Sequence, residues 1–223
     1  MSSPDAADPV LATAAATRSL LARGEAARDD FRRALLAVPA DRRDVWLDRV
    51  FGIDGVVEDG PELPRGCAPY LPCSVSAVLR MIEHADVRSC DVFVDIGSGL
   101  GRATMLAHLL TGAEAIGLEI QPHLVRASRE LATRLNLPRC SVVPGDAVRL
   151  TGDITSGSVF FLYCPFSGER LAKVLDALEP IARTRPIRVS SLDLPLPPCS
   201  WLTQLVLPFD DLAVYRSTLL DPA

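Results

Sequence analysis

From Ser74 onward the pattern predicts a doubly wound α/β fold: a mostly parallel sheet with an antiparallel C-terminal hairpin, preceded by a helical N-terminal cap. Three observations predict it. Helical segments and short apolar segments alternate through most of the chain, the sign of a parallel sheet covered on both faces. One apolar segment, Val92-Phe93-Val94-Asp95-Ile96, runs directly into a glycine-rich turn that opens a helix. The last two apolar segments are joined by Pro208-Phe209-Asp210-Asp211, short enough for a hairpin.

Residues 10–51 are rich in Ala, Leu and Arg, and Phe31, Leu35 and Val38 are spaced as one face of a helix. Asp41 is expected to cap a further short helix carrying Val45, Trp46, Val50 and Phe51, after which glycines and prolines from Gly52 to Pro72 make a long ordered loop. This N-terminal part is expected either to pack against the rest or to act as a lid over a substrate. Next come helix 74–85, strand 91–95, helix 101–111, strand 115–119, helix 122–135, strand 140–143, strand 158–163, helix 168–183, strand 187–191 and the closing pair 202–207 and 212–218. Helix 122–135 has the clearest signature, with Leu124, Leu131 and Leu135 on one stripe and Pro122 in its first turn.

A chain of 223 residues, 48% hydrophobic with a net charge of −5, belongs to the ordinary globular class. No stretch approaches the roughly 20 apolar residues of a membrane span. The start Met1-Ser2-Ser3-Pro4-Asp5 lacks the basic and apolar runs of a secretory signal, so a cytoplasmic location is expected. The cysteines, Cys67, Cys73, Cys90, Cys140, Cys164 and Cys199, show no Cys-x-x-Cys spacing, so they read as small core-fillers, with neither a metal site nor a disulfide expected. An acidic balance with dispersed arginines offers no stripe for tracking phosphates, so no nucleic-acid partner is expected.

The stretch Asp95-Ile96-Gly97-Ser98-Gly99-Leu100-Gly101 has the context of a nucleotide loop: glycines permit close approach, and the helix behind presents unpaired N–H groups. A dinucleotide fingerprint needs its third glycine one residue later, where Arg102 stands, which weakens a nicotinamide-dependent oxidoreductase. The acid at Asp95 suits a ligand with an amino group and a sulfonium, as in S-adenosylmethionine. Glu119 closes the second strand, 24 positions after Asp95, where a carboxylate can accept both ribose hydroxyls, with Ile120 and Gln121 beside it. In Gly145-Asp146-Ala147 the carboxylate can accept the adenine amino proton, and Ala147 leaves room for the ring. Three successive strands thus deliver an acid to their carboxyl ends, where ligands bind in open α/β sheets.

With these residues in hand, the chain resembles class I S-adenosylmethionine-dependent methyltransferases, and residues 90–190 in particular resemble the bacterial relatives of the telomeric-silencing-disruptor (histone lysine) methyltransferases. The stretches that carry the likeness are Tyr70-Leu71-Pro72-Cys73, Phe93 to Gly101, Gly117-Leu118-Glu119 and Phe160-Phe161-Leu162-Tyr163-Cys164-Pro165-Phe166. The resemblance implies a Rossmann-like fold; the patterning divides the chain into a helical cap and loop over residues 1–66 and a cofactor-binding domain over 67–223. The resemblance also implies that Tyr70 and Cys73 flank the methionine end of the cofactor, while Asp95, Gly97, Glu119 and Asp146 hold the rest; Ser98, Gly99 and Gly101 are expected at the cofactor as members of the glycine loop. The histone enzymes have paired asparagines where this chain has Tyr163 and Cys164, and a glutamate where it has Pro72. The likeness therefore speaks for cofactor and fold rather than for a histone substrate.

Methyl transfer from a sulfonium is an in-line displacement in which alignment and exclusion of water supply much of the catalysis, so no elaborate catalytic group is required. His84, His108 and His123 read as helix residues, His123 close enough to Glu119 to touch the ribose edge. Tyr163, at the end of the fourth strand, is the candidate catalytic residue. Cys164 reads as packing, and Asp193 is a further polar candidate. An apolar-walled acceptor site favours a small organic acceptor over a protein side chain. A lysine or other side-chain methyltransferase and a noncatalytic cofactor-binding module are the alternatives.

Overall fold

The computed structural model describes residues 8–55, 58–60 and 63–218. The N-terminal pentapeptide and four residues of the loop between Gly52 and Pro72 lie outside them. Three helices come first: α1 (Pro9–Ala22), α2 (Arg28–Ala37) and α3 (Arg43–Phe51). Asp8 caps α1 by accepting from the N–H of Val10 at 3.0 Å, with Pro9 at the first helical position, where a missing N–H costs nothing. Asp41 does not cap α3. It sits inside a 3-10 turn, Ala40–Arg42, and α3 begins without a side-chain cap.

After the loop come α4 (Val75–His84), β1 (Val92–Ile96), α5 (Arg102–Thr111), β2 (Glu114–Glu119), α6 (Pro122–Arg134) and β3 (Cys140–Pro144). The chain continues through a short α7 (Ala147–Leu150), β4 (Val159–Tyr163), α8 (Gly168–Thr184), β5 (Arg188–Leu192), β6 (Leu202–Leu205) and β7 (Leu212–Ser217). The strand order is β3-β2-β1-β4-β5-β7-β6. β1 to β5 are parallel, β7 is antiparallel to β5, and β6 is antiparallel to β7. The expected segments correspond to these elements, except that α7 was not foreseen.

Alternation along each strand feeds two cores. Phe93, Ala115, Val159 and Phe161 face α4, α5 and α6, while Val94, Ile96, Phe160, Leu162 and Val189 face α8. Phe31, Leu35, Trp46, Leu47, Val50 and Phe51 of the N-terminal helices are buried in the first of these cores. The helices thus extend the hydrophobic core behind the glycine loop, with α2 packed against α5. All six cysteines are free; Cys73 is buried in the first core, and Cys140 and Cys199 are partly buried against the two cores, so the core-filling role expected for most of the set holds for these three.

Candidate active site

At the carboxyl ends of β1 to β5 lies a cavity of about 430 Å³. Its wall includes Gly97, Glu119, Ile120, Gln121, Asp146 and Ala147 on the β1–β3 side, and Tyr163, Cys164, Pro165, Phe166 and Asp193 on the β4–β5 side. Residues from Leu63 to Leu71 form its roof, Tyr70 among them. α1 to α3 contribute nothing to the wall, so the lid expected of the N-terminal helices is made by the segment that follows them.

Several residues expected at the ligand stand behind this wall. Asp95 is 3% exposed, and its Oδ2 accepts from the Thr104 hydroxyl at 2.7 Å. Burial is the main cause that pushes the Asp95 carboxyl up to about 6. Cys73, Ser98, Gly99 and Gly101 are likewise absent from the wall. The thiol of Cys73 is pushed up to about 12 by burial, and the Ser98 hydroxyl is buried without a partner.

The glycines serve the protein's own packing. Gly99 has φ 55°, and a Cβ there would lie 2.1 Å from Cε2 of Tyr70, so the tyrosine ring occupies the space the missing side chain leaves. Gly97 has φ 82° and faces Pro165, whose Cβ would be 2.5 Å from an added Cβ. The close approach expected of a ligand is made at both positions by the roof and by the β4 exit.

Glu119 is 5% exposed, and its carboxylate accepts the N–H of Gly99 at 2.8 Å and of Gln121 at 2.7 Å, one on each oxygen. Burial raises its pKa while these N–H groups act to lower it. A carboxylate has about four lone-pair directions, so two remain for donors in the cavity. Asp146 caps α7 by accepting from Val148 N at 3.0 Å, and the same oxygen takes Nη2 of Arg170 at 2.5 Å. Its other oxygen accepts no bond among the described residues.

A latch not visible in the sequence ties the roof to this side. Asp59 Oδ1 accepts from Tyr70 N at 2.8 Å and from Gln121 Nε2 at 2.7 Å, while Gly60 N donates to Gln121 Oε1 at 2.8 Å. Gln121 therefore spends its side chain on the roof and its backbone on Glu119. His123 Nε2 reaches the Glu58 carbonyl at 3.1 Å, so it serves the latch rather than the ribose. His108 bonds the Ala113 carbonyl at 2.7 Å, and His84 packs edge-on against Phe209. On the far side of the loop, Arg102 is 3% exposed and donates to Asp48 at 2.7 Å, to Asp44 at 2.8 Å and to the Cys73 carbonyl. The residue that breaks the dinucleotide fingerprint is the anchor of α3 to the cofactor loop. No sequence signal marked it, because its carboxylate partners lie 54 and 58 positions away.

On the β4–β5 side Tyr163 and Asp193 share the wall with Cys164, and burial raises the Tyr163 phenol. No side-chain hydrogen bond links any of the three to another described residue. Among the described residues no group of three or more His, Cys, Asp and Glu is arranged to hold a metal ion, and no helix is long and apolar enough to cross a membrane.

The cavity fits S-adenosylmethionine in size and in donor set: small-molecule pockets run from about 300 to 1,000 Å³, and the buried Glu119 keeps acceptor capacity for a ribose. The family model described as Histone methylation protein DOT1 matches residues 70–142. An RNA methyltransferase from Salinibacter ruber, solved with S-adenosyl-L-homocysteine, is 30% identical with a TM-score of 0.54, over 69% of this chain and 96% of that one. The S-adenosylhomocysteine-bound methyltransferase PaMTH1 of Podospora anserina is 15% identical, TM-score 0.53, over 66% of this chain and 79% of its own. A mutant of MtNAS in complex with S-adenosylmethionine is 16% identical, TM-score 0.53, over 66% of this chain and 62% of that one. At those identities the last two show the fold alone. Nothing matches among curated proteins. The cofactor is S-adenosylmethionine, and the chain belongs to the class I S-adenosylmethionine-dependent methyltransferases.

Proposed function

We propose that the protein transfers the methyl group of S-adenosylmethionine to a small organic acceptor that enters at the ends of β4 and β5. The observation that carries this reading is the mainly apolar lining of the cavity, to which Tyr163, Pro165 and Phe166 contribute from the ends of the strands and Pro69 and Leu71 from the roof. The bound cofactor supplies an electrophilic methyl on a sulfonium, whose C–S bond breaks with its electron pair left on sulfur. The chain holds and aligns. Glu119 and Asp146 grip the nucleoside, and the roof latched by Asp59 excludes water, which strengthens orientation effects at the reacting atoms. Tyr163 borders the acceptor and lines its path.

A second reading, an RNA acceptor, is favoured by the 30% identity to the RNA methyltransferase of Salinibacter ruber. Protein side chains and a noncatalytic cofactor-binding role are the remaining alternatives. Incubation with methyl-labelled S-adenosylmethionine and, separately, low-molecular-weight cell extract, total RNA and total protein separates them. The expected outcome is label in the small-molecule fraction alone. Label in RNA or protein moves the acceptor to that class, and cofactor binding with no label in any fraction leaves a binding module.

A further inference from the structure

Among the described residues, the cavity wall at the ends of β4 and β5 contains one acidic side chain, Asp193, and no described residue pairs with its carboxylate. Asp193 follows β5 with φ 51°, and Cys164 follows β4 with φ 42°, so two neighbouring strands leave the sheet through left-handed residues that are not glycine. Such conformations are uncommon outside glycine and cluster at functional sites. Asp193 is pinned there by its backbone N–H, which donates to the Asp211 carbonyl at 2.7 Å. The basic groups nearby are committed elsewhere. Arg170, the one arginine in the cavity wall, pairs with Asp146 at 2.5 Å, and Arg80 pairs with Asp211 at 2.5 Å while lying over the Phe209 ring. Among the described residues no ion pair or side-chain hydrogen bond engages the Asp193 carboxylate.

Tyr163, whose register partner is Leu192, stands beside Asp193, and the wall of the same cavity includes Tyr70, Leu71 and Phe166. A single unpaired carboxylate beside aromatic rings is the chemistry that recognises an ammonium attached to an apolar body. The same charge repels carboxylates and phosphates at the mouth of the cavity, an effect that solvent and salt weaken because Asp193 is exposed.

We propose that Asp193 is a specificity-determining residue that selects small acceptors bearing an amine and rejects anionic ones. This rests on the small-acceptor reading above. A protonated amine has no lone pair to offer, so the nitrogen first releases its proton to solvent past the exposed Asp193. The lone pair then forms the N–C bond while the broken C–S pair stays on sulfur, leaving a neutral thioether and a methylated ammonium.

Binding of phenethylamine, 2-phenylethanol and phenylacetate to the protein saturated with S-adenosylhomocysteine tests the proposal, because the three share a ring and differ in charge. Calorimetry is expected to give the ammonium an affinity about five-fold above the alcohol, with the carboxylate weakest. The preference should shrink in high salt. Asp193→Asn keeps the size of the side chain, and Asn tolerates a left-handed backbone, so the variant folds. In it the three ligands should bind within about two-fold of one another while S-adenosylhomocysteine binding is unchanged. Absence of charge preference in the natural protein, a preference that survives Asp193→Asn, or no binding of any of the three overturns the proposal. Failure of S-adenosylhomocysteine itself to bind is a different result: it removes the methyltransferase reading, and this inference with it.

Discussion

At the ends of β1 to β3, polar side chains of the cavity are already bonded: Glu119 holds two backbone N–H groups, Asp146 caps α7 and pairs with Arg170, and Gln121 latches the roof. At the ends of β4 and β5, Tyr163, Cys164 and Asp193 make no such bonds, and two of the three sit in left-handed backbone. The first half is preorganised for one ligand and the second presents uncommitted groups to whatever enters. In such an architecture the cofactor is readable from packed, bonded geometry, whereas the acceptor is set by a few free side chains.

The contrast can be broken most severely from behind. Deleting residues 1–60 removes Phe31, Leu35, Trp46, Leu47, Val50 and Phe51 from the core and Asp44 and Asp48 from Arg102. At about 1.5–3 kcal/mol per large buried side chain, the loss is about 9–18 kcal/mol, as large as the whole net stability of a domain. The truncated chain is expected to lose its cooperative thermal transition and to aggregate. A soluble truncate that binds S-adenosylhomocysteine normally would show that the cofactor half stands without its support.

Glu119→Ala removes the acceptor of two backbone N–H groups as well as the proposed ribose ligand. With charge-assisted hydrogen bonds at about 1.5–3 kcal/mol each, S-adenosylhomocysteine affinity should fall by about 100-fold or more. Because Glu119 also braces the glycine loop, thermal stability should drop too, against the sequence-based picture of a residue devoted to ligand. Calorimetry showing unchanged affinity would place the ribose elsewhere.

Asp95 offers a pH test. Its carboxyl is pushed up to about 6 in the folded chain from an ordinary 3.8, so the native state binds more protons than the unfolded one between about pH 4 and 6. Stability from this group therefore falls as pH rises through that window, by about 2–3 kcal/mol. Asp95→Asn cannot ionise, and urea midpoints should show it gaining that amount on the natural protein between pH 4 and pH 7. A gap that does not change with pH would mean that Asp95 is solvated.

Smaller effects separate roof from wall. Asp59→Ala cuts the bonds to Tyr70 N and to Gln121, and stopped-flow release of S-adenosylhomocysteine should become about ten-fold faster. Tyr163→Phe removes a hydroxyl that bonds no described residue. It should leave S-adenosylhomocysteine affinity within about two-fold while changing the rate of acceptor labelling. A large loss of cofactor affinity in Tyr163→Phe would erase the distinction between the halves.

Taken by itself, the amino-acid sequence determined the alternation of helices and strands, the glycine turn after β1, the acids at three strand ends and the closing hairpin. Each is written in residues adjacent in the chain: periodicity sets which face is buried, and glycine and proline mark where a turn must form. Tertiary structure alone decided that Asp95 lies behind the wall, that Tyr70 fills the space above Gly99, that Arg102 anchors α3, and that Asp59 meets Gln121. The partners in the last two contacts are 54 to 62 residues apart, and one end of the latch lies in an aperiodic loop. A hydrogen bond between such distant side chains leaves no local pattern, because its geometry exists only once the sheet has brought the two ends together.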